Sequence, residues 1–254
     1  MKLGVCLESF GQPFRAALAQ ASRLGVAGVQ CDAVGELAAH RLTDTGRREI
    51  GRLLRSANLE LAALHCPLRR SLGDPVDLDP RLDRILQAMA LSFDLGARLV
   101  VVGAGRLPEA AGDESATWID AVGHLARSAD KTGTTVALIC TENSGAAIAA
   151  FLARFDSGGL TAAFDPARWL VNGFDPLAEL PALTGRLGYV LAGDARRRGP
   201  ARLVPLGRGD LDWLALAGSL SAYEYRGWIT AGRPGVESPA DLETGVGLLR
   251  RLVD

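Results

Sequence analysis

Eight short apolar runs, each ended by glycine or a polar residue and each followed by a helical pattern, constrain this chain more than any other feature. The strand-like runs are KLGVCL, GVQCDA, LELAALH, ARLVVVGAG, TTVALIC, LTAAF, RLGYVLA and GWITAG. Between them lie amphipathic stretches such as PFRAALAQASRLG and PRLDRILQAMALSFDLG, stopped by Gly25 and Gly96. DPLAELPALTG carries an internal proline and predicts a short or broken helix. Continuous apolar strands that alternate with helices predict a parallel sheet covered by those helices. Eight such units in 254 residues predict an α/β fold, a single (β/α)₈ TIM barrel. A doubly wound sheet is the fold alternative. No linker or low-complexity stretch interrupts the pattern, so residues 1–254 read as one domain.

Charge narrows the function classes. The formal net charge is −1, from 28 basic and 29 acidic side chains, which gives no pull toward nucleic acid or a membrane surface. The apolar part of MKLGVCLESF is too short for a signal-peptide core and meets Glu8 at once. A cytoplasmic protein is expected. Cys6, Cys31, Cys66 and Cys140 show no CxxC spacing and are expected as free thiols in the core rather than as a metal site.

A barrel keeps its chemistry at the C-terminal ends of its strands. Those ends carry Glu8, Gln30, Asp32, His65, Glu142, Asp165, Asp194 and Arg196. Asp165, His65 and Glu142 are the catalytic candidates, since carboxylates and imidazole are the usual proton-transfer groups. Glu8, Gln30, His65, Asp165, Asp194 and Arg196 are candidate ligand-binding residues. Asp165 precedes Pro166 and can equally cap the helix that follows. His40 and His124 fall in helical or loop sequence and read as structural. After the seventh strand comes a loop with Arg196, Arg197, Arg198, Arg202 and Arg208, together with Gly199, Gly207 and Gly209. Arginines beside glycine amides suit an anion, a phosphorylated sugar or a carboxylate. A solvated loop paired to Asp194, Asp210 and Asp212 is the alternative.

The stretches LGVCLESFG, AGVQCDA, LAALHCPLRRSLGDP, AFDPARWLVNGFDP, AGDARR and VPLGRGDLDWLAL, in this order over nearly the whole chain, resemble the xylose-isomerase-like TIM barrels of the sugar phosphate isomerase/epimerase family. The resemblance implies a divalent metal held by Glu, Asp, His and Glu at the ends of strands five to eight. That metal would polarise a sugar carbonyl while carboxylates move a proton. Asp165 matches the strand-six aspartate. The strand-five glutamate falls on Ile139, the strand-seven histidine on Leu191 and the strand-eight glutamate on Gly232. An asparagine common two residues before the aspartate is Ala163 here.

The implied function is a degenerate barrel of this family without the metal, binding a small polar or anionic ligand such as a sugar or sugar phosphate. One alternative is an active isomerase or epimerase with a rearranged metal site, holding Mn or Zn with help from Glu142, His65, Glu8 or Asp194. Another is a non-enzymatic structural or regulatory subunit. Without a metal, Asp165 is expected to be paired or partly protonated, with Arg168, Arg196 or Arg233 as partner.

Overall fold

The computed structural model describes residues 1–108 and 112–253. Eight parallel strands close into a barrel. They are β1 (Lys2–Cys6), β2 (Gly28–Asp32), β3 (Glu60–Cys66), β4 (Leu99–Gly103), β5 (Thr135–Ile139), β6 (Leu160–Phe164), β7 (Leu187–Ala192) and β10 (Trp228–Ala231). Around the barrel the order is β1, β10, β7, β6, β5, β4, β3, β2. All eight fall on the apolar runs read from the sequence, and the doubly wound alternative is excluded.

Nine α-helices are assigned among the described residues: α1 (Phe14–Arg23), α2 (Asp44–Ser56), α3 (Leu78–Asp94), α4 (Asp113–Thr132), α5 (Gly145–Leu152), α6 (Pro166–Val171), α7 (Pro176–Glu179), α8 (Trp213–Ala222) and α9 (Pro239–Val253). Several start on a polar side chain whose oxygen accepts a first-turn N–H: Thr43 on α2, Ser144 on α5, Asp212 on α8. Gly25 and Gly96 follow α1 and α3 with φ of 65° and 83°, the left-handed stop expected of them. The proline-interrupted DPLAELPALTG forms only α7 and a 3₁₀ turn, Leu180–Leu183.

Strand side chains alternate between two cores. Those facing the helices build the large one, with Val5, Val29, Leu64, Val100, Val102, Leu138, Phe164 and Ile229. Those facing inward build a small one, with Ala63, Val101, Ala137, Ala163 and Tyr189, against which Ile139, Leu191 and Trp228 pack. Small residues dominate the interior because two large rings already fill it. A Cβ on Gly28 would lie 2.6 Å from the Trp228 ring, and Tyr189 stands buried with its hydroxyl 2.5 Å from Thr230 Oγ1. The middle of the barrel is therefore filled, and the interior opens toward the strand C-termini. All four cysteines are buried free thiols, as expected. Among the described residues no helix is long and apolar enough to cross a membrane.

One element departs from the sequence reading. The arginine loop is an antiparallel hairpin, β8 (Asp194–Arg196) with β9 (Arg202–Val204). Alternation gave no sign of it, because each strand is only three residues long.

Candidate functional site

A cavity of about 460 Å³ opens at the strand C-termini. Asp165, Leu191 and Gly232 all line it, as the barrel reading expects, and so does Ile139. A smaller hollow of about 270 Å³ lies at the opposite end of the barrel, by Thr184–Gly188 and Tyr223–Gly227. That is the end a barrel uses for stability rather than chemistry.

On one wall stands an ion pair. Asp165, 1% exposed, accepts from Nη2 of Arg233 through both oxygens, at 2.8 and 2.9 Å. It also caps α6 through the Arg168 N–H at 3.1 Å, and the Arg168 Nε lies 3.5 Å away. Both the capping and the pairing read from the sequence are thus met. Arg168 and Arg233 are the partners, while Arg196 points elsewhere. Arg233 leaves β10 and Asp165 leaves β6, so their contact bridges the end of β7, where Leu191 stands. Burial works against the Arg233 charge, and the neighbouring Asp165 more than offsets it, so the guanidinium is held above its ordinary pKa. Two local features fix it there. The Arg233 N–H donates to Glu237 Oε2 at 2.7 Å. Gly193 makes room, since a Cβ there would lie 3.3 Å from Nη2.

The opposite wall is built by β2 and β3, which pair with Asp32 in register with His65. Residues in register share a face, and His65 Nδ1 lies 2.8 Å from Asp32 Oδ1. The Asp32 N–H donates to Glu8 Oε1 at 2.7 Å, and Cys6 Sγ donates to Glu8 Oε2 at 3.2 Å. Glu8 is thereby a brace between β1 and β2. Burial first, and Asp32 second, push its carboxyl above the ordinary glutamate range. Burial and the Glu8 charge push the Cys6 thiol well up, so it remains a donor and not a thiolate nucleophile. Gln30 reaches Cys6 Sγ with Nε2, and its buried Oε1 has no partner.

The cavity therefore gathers Gln30, Asp32, His65, Glu142 and Asp165 from the residues singled out in the sequence, with Glu142 exposed on the rim. Glu8, Asp194 and Arg196 lie outside its lining. Asp194 is buried under the hairpin. It accepts from the N–H groups of Ala195 and Leu211 through Oδ1 and of Gly207 and Gly209 through Oδ2, at 2.8 to 3.2 Å. The glycine amides expected to cradle an external anion thus cradle the chain's own carboxylate. A Cβ on Gly209 would lie 2.0 Å from Asp194 Oδ1, so glycine is required there. Arg196 donates to the Arg208 carbonyl, Arg197 to that of Phe174, and Arg208 pairs with Asp241 at 2.7 Å. His40 and His124 are exposed on the outer surface. Sequence reasoning reached Arg233 only as a possible neighbour of Asp165 and did not see the part played by Gly193. A glycine beside a strand end is too common to signal room for a guanidinium.

The sequence pattern of the xylose isomerase-like TIM barrel family matches residues 18–252. The chain belongs to that family. Among solved structures, a xylose isomerase domain protein from Planctomyces limnophilus superposes with TM-score 0.87 at 19% identity, covering 99% of this chain and 96% of the other. D-allulose 3-epimerase from Methylomonas sp., in complex with D-allulose, superposes with TM-score 0.79 at 20% identity over 100% of this chain and 97% of the other. A probable 3-DHS dehydratase from Bacillus anthracis gives TM-score 0.80 at 15% identity over 98% and 99%. At these identities the superpositions establish the shared barrel. No curated protein matches in sequence. In this xylose isomerase-like barrel, Ile139, Leu191 and Gly232 line the cavity with Asp165 and carry no side-chain donor atom. Among the described residues no group of three or more His, Cys, Asp or Glu side chains comes together to hold an ion. A competent site needs about three protein ligands, and Asp165 already faces a guanidinium.

Proposed function

We propose that this protein is a degenerate member of the sugar phosphate isomerase/epimerase-like barrels, a cytoplasmic protein that binds a small polar or anionic ligand at the barrel mouth without a metal. The observation that carries this reading is the buried Asp165–Arg233 pair. A carboxylate that would need a cation for burial has one built into the chain. Ile139, Leu191 and Gly232 offer no side-chain donor atom beside it. Structural neighbours named for sugar epimerases, one of them holding D-allulose, support a hydroxyl-rich ligand.

Retained catalysis is the second reading, and the His65–Asp32 pair favours it. A carboxylate that orients an imidazole opening on a cavity is an arrangement able to move a proton. Glu142 on the rim supplies a further carboxylate.

Elemental analysis of the purified protein tests the proposal. No stoichiometric Mn, Zn or Mg is expected, and chelator should leave the unfolding temperature unchanged. A metal bound only to the native state would raise that temperature by mass action. About one ion per chain, lost in Asp165→Ala, would overturn the reading.

A further inference from the structure

We infer that the mouth cavity is a binding site for a small hydroxy-carboxylate of the sugar-acid kind, with the carboxylate on Arg168 and Arg233 and a hydroxyl on Gln30. The inference rests on the metal-free reading and names its ligand class.

Charge sets the first half. The Asp165 wall holds two arginines and one carboxylate, a local charge of +1, in a cavity that Asp32 and Glu142 also line. That charge matches a monoanion such as a carboxylate better than a phosphate dianion. Arg233 spends only Nη2 on Asp165, and its Nε and Nη1 make no hydrogen bond among the described residues. Neither atom is a sealed-off orphan, and Arg233 lines the cavity. Nε and Nη1 lie on different edges of the guanidinium, so each offers a single charged N–H to a carboxylate oxygen. Arg168 lines the same cavity with its side chain 54% exposed, free to swing onto a ligand.

The second half comes from an orphan. Gln30 is 3% exposed and lines the cavity, and its Oε1 accepts from nothing. Buried acceptors are ordinarily partnered; Oε1 is closed off as it stands, but the Gln30 amide is tethered only by Nε2 on Cys6 Sγ at 3.8 Å, and a turn of the side chain would bring Oε1 to a ligand hydroxyl. Gln30 stands on β2, next to β3, and β3 lies diametrically across the barrel from β7. Arg168, which follows β6, stands across the barrel from Gln30 on β2, while Arg233 leaves β10, two strands from β2, and reaches the Asp165 wall from between them. A cavity of about 460 Å³ lies within the ordinary range for small-molecule sites.

Calorimetric titration of the full chain decides the matter, using D-gluconate and D-glycerate, with acetate, D-glucose and inorganic phosphate as comparisons. The two hydroxy-acids should bind saturably, and glucose and phosphate should not. Arg168→Gln, at an exposed position that leaves the fold intact, should weaken gluconate binding about tenfold or more. Gln30→Met should weaken gluconate while leaving acetate, which has no hydroxyl, as weak as before. Failure of both hydroxy-acids to bind overturns the inference. So does phosphate or glucose binding as tightly as gluconate, or an Arg168→Gln protein that binds unchanged. The same preparation is assayed for metal. Stoichiometric metal sinks the metal-free reading itself, whereas metal-free protein that ignores hydroxy-acids sinks only the ligand class.

Discussion

Replacing Arg233 with methionine keeps most of the side chain's length and removes its charge. It leaves Asp165, 1% exposed, without the partner that holds both its oxygens. Breaking a buried ion pair from one side costs roughly 3–5 kcal/mol, because the other charge stays buried. Asp165 would keep the Arg168 N–H at 3.1 Å, and the exposed Arg168 Nε, now at 3.5 Å, can close in. Those compensations place the expected loss near the low end, about 3 kcal/mol. For a chain of this size that corresponds to a fall in Tm of about 6–12 °C. The double variant Asp165→Asn/Arg233→Met strands no charge and should recover most of the loss. Urea unfolding of wild type, both singles and the double, with equal m-values, measures this coupling. A loss below about 1 kcal/mol for Arg233→Met is what an exposed pair would give. That result, or strict additivity in the double, would refute the claim that the guanidinium is the fixed counter-ion of Asp165.

Two further outcomes follow from groups outside that pair. Asp194→Asn replaces an acceptor of four N–H groups with a side chain that has one acceptor oxygen and a donor facing like donors. It should destabilise by about 2–4 kcal/mol and speed proteolysis within residues 194–211; an unchanged cleavage pattern and Tm would contradict the bracing role. Glu8 has its folded pKa raised by burial and by Asp32, so its contribution to stability is full below the ordinary glutamate value and is lost as pH rises through the raised one. Glu8→Gln keeps an acceptor for the Asp32 N–H and removes that loss. Its stability should therefore fall less than that of wild type on going from acid toward neutral pH, and parallel curves would show that Glu8 is not strained by its burial.

The sequence alone determined an α/β chain of eight strand–helix units, whose number and length pointed to a barrel, while closure itself was decided by the tertiary structure. Eight apolar runs with helices between them leave a parallel, helix-covered sheet as the arrangement that buries both faces of every strand. The cavity-lining positions 139, 165, 191 and 232 follow from it, because strand alternation and the C-terminal ends of strands are both local properties of the chain. The lone Asp165 among non-ligating neighbours was legible through the resemblance to the family, which placed the other ligand positions on Ile139, Leu191 and Gly232. The partners of the charged groups were not. Arg233 and Asp165 are 68 residues apart, and they meet only because barrel closure sets β10 and β6 on either side of β7. Asp32 meets His65 because β2 and β3 pair in a register that a single-residue slip would break. Asp194 and the loop arginines carry the composition of an anion site, yet the hairpin folds the carboxylate inward onto its own amides. Composition states which charges a segment has. Where each finds its counter-charge depends on strand order, register and side-chain direction, and those exist only once the barrel has closed.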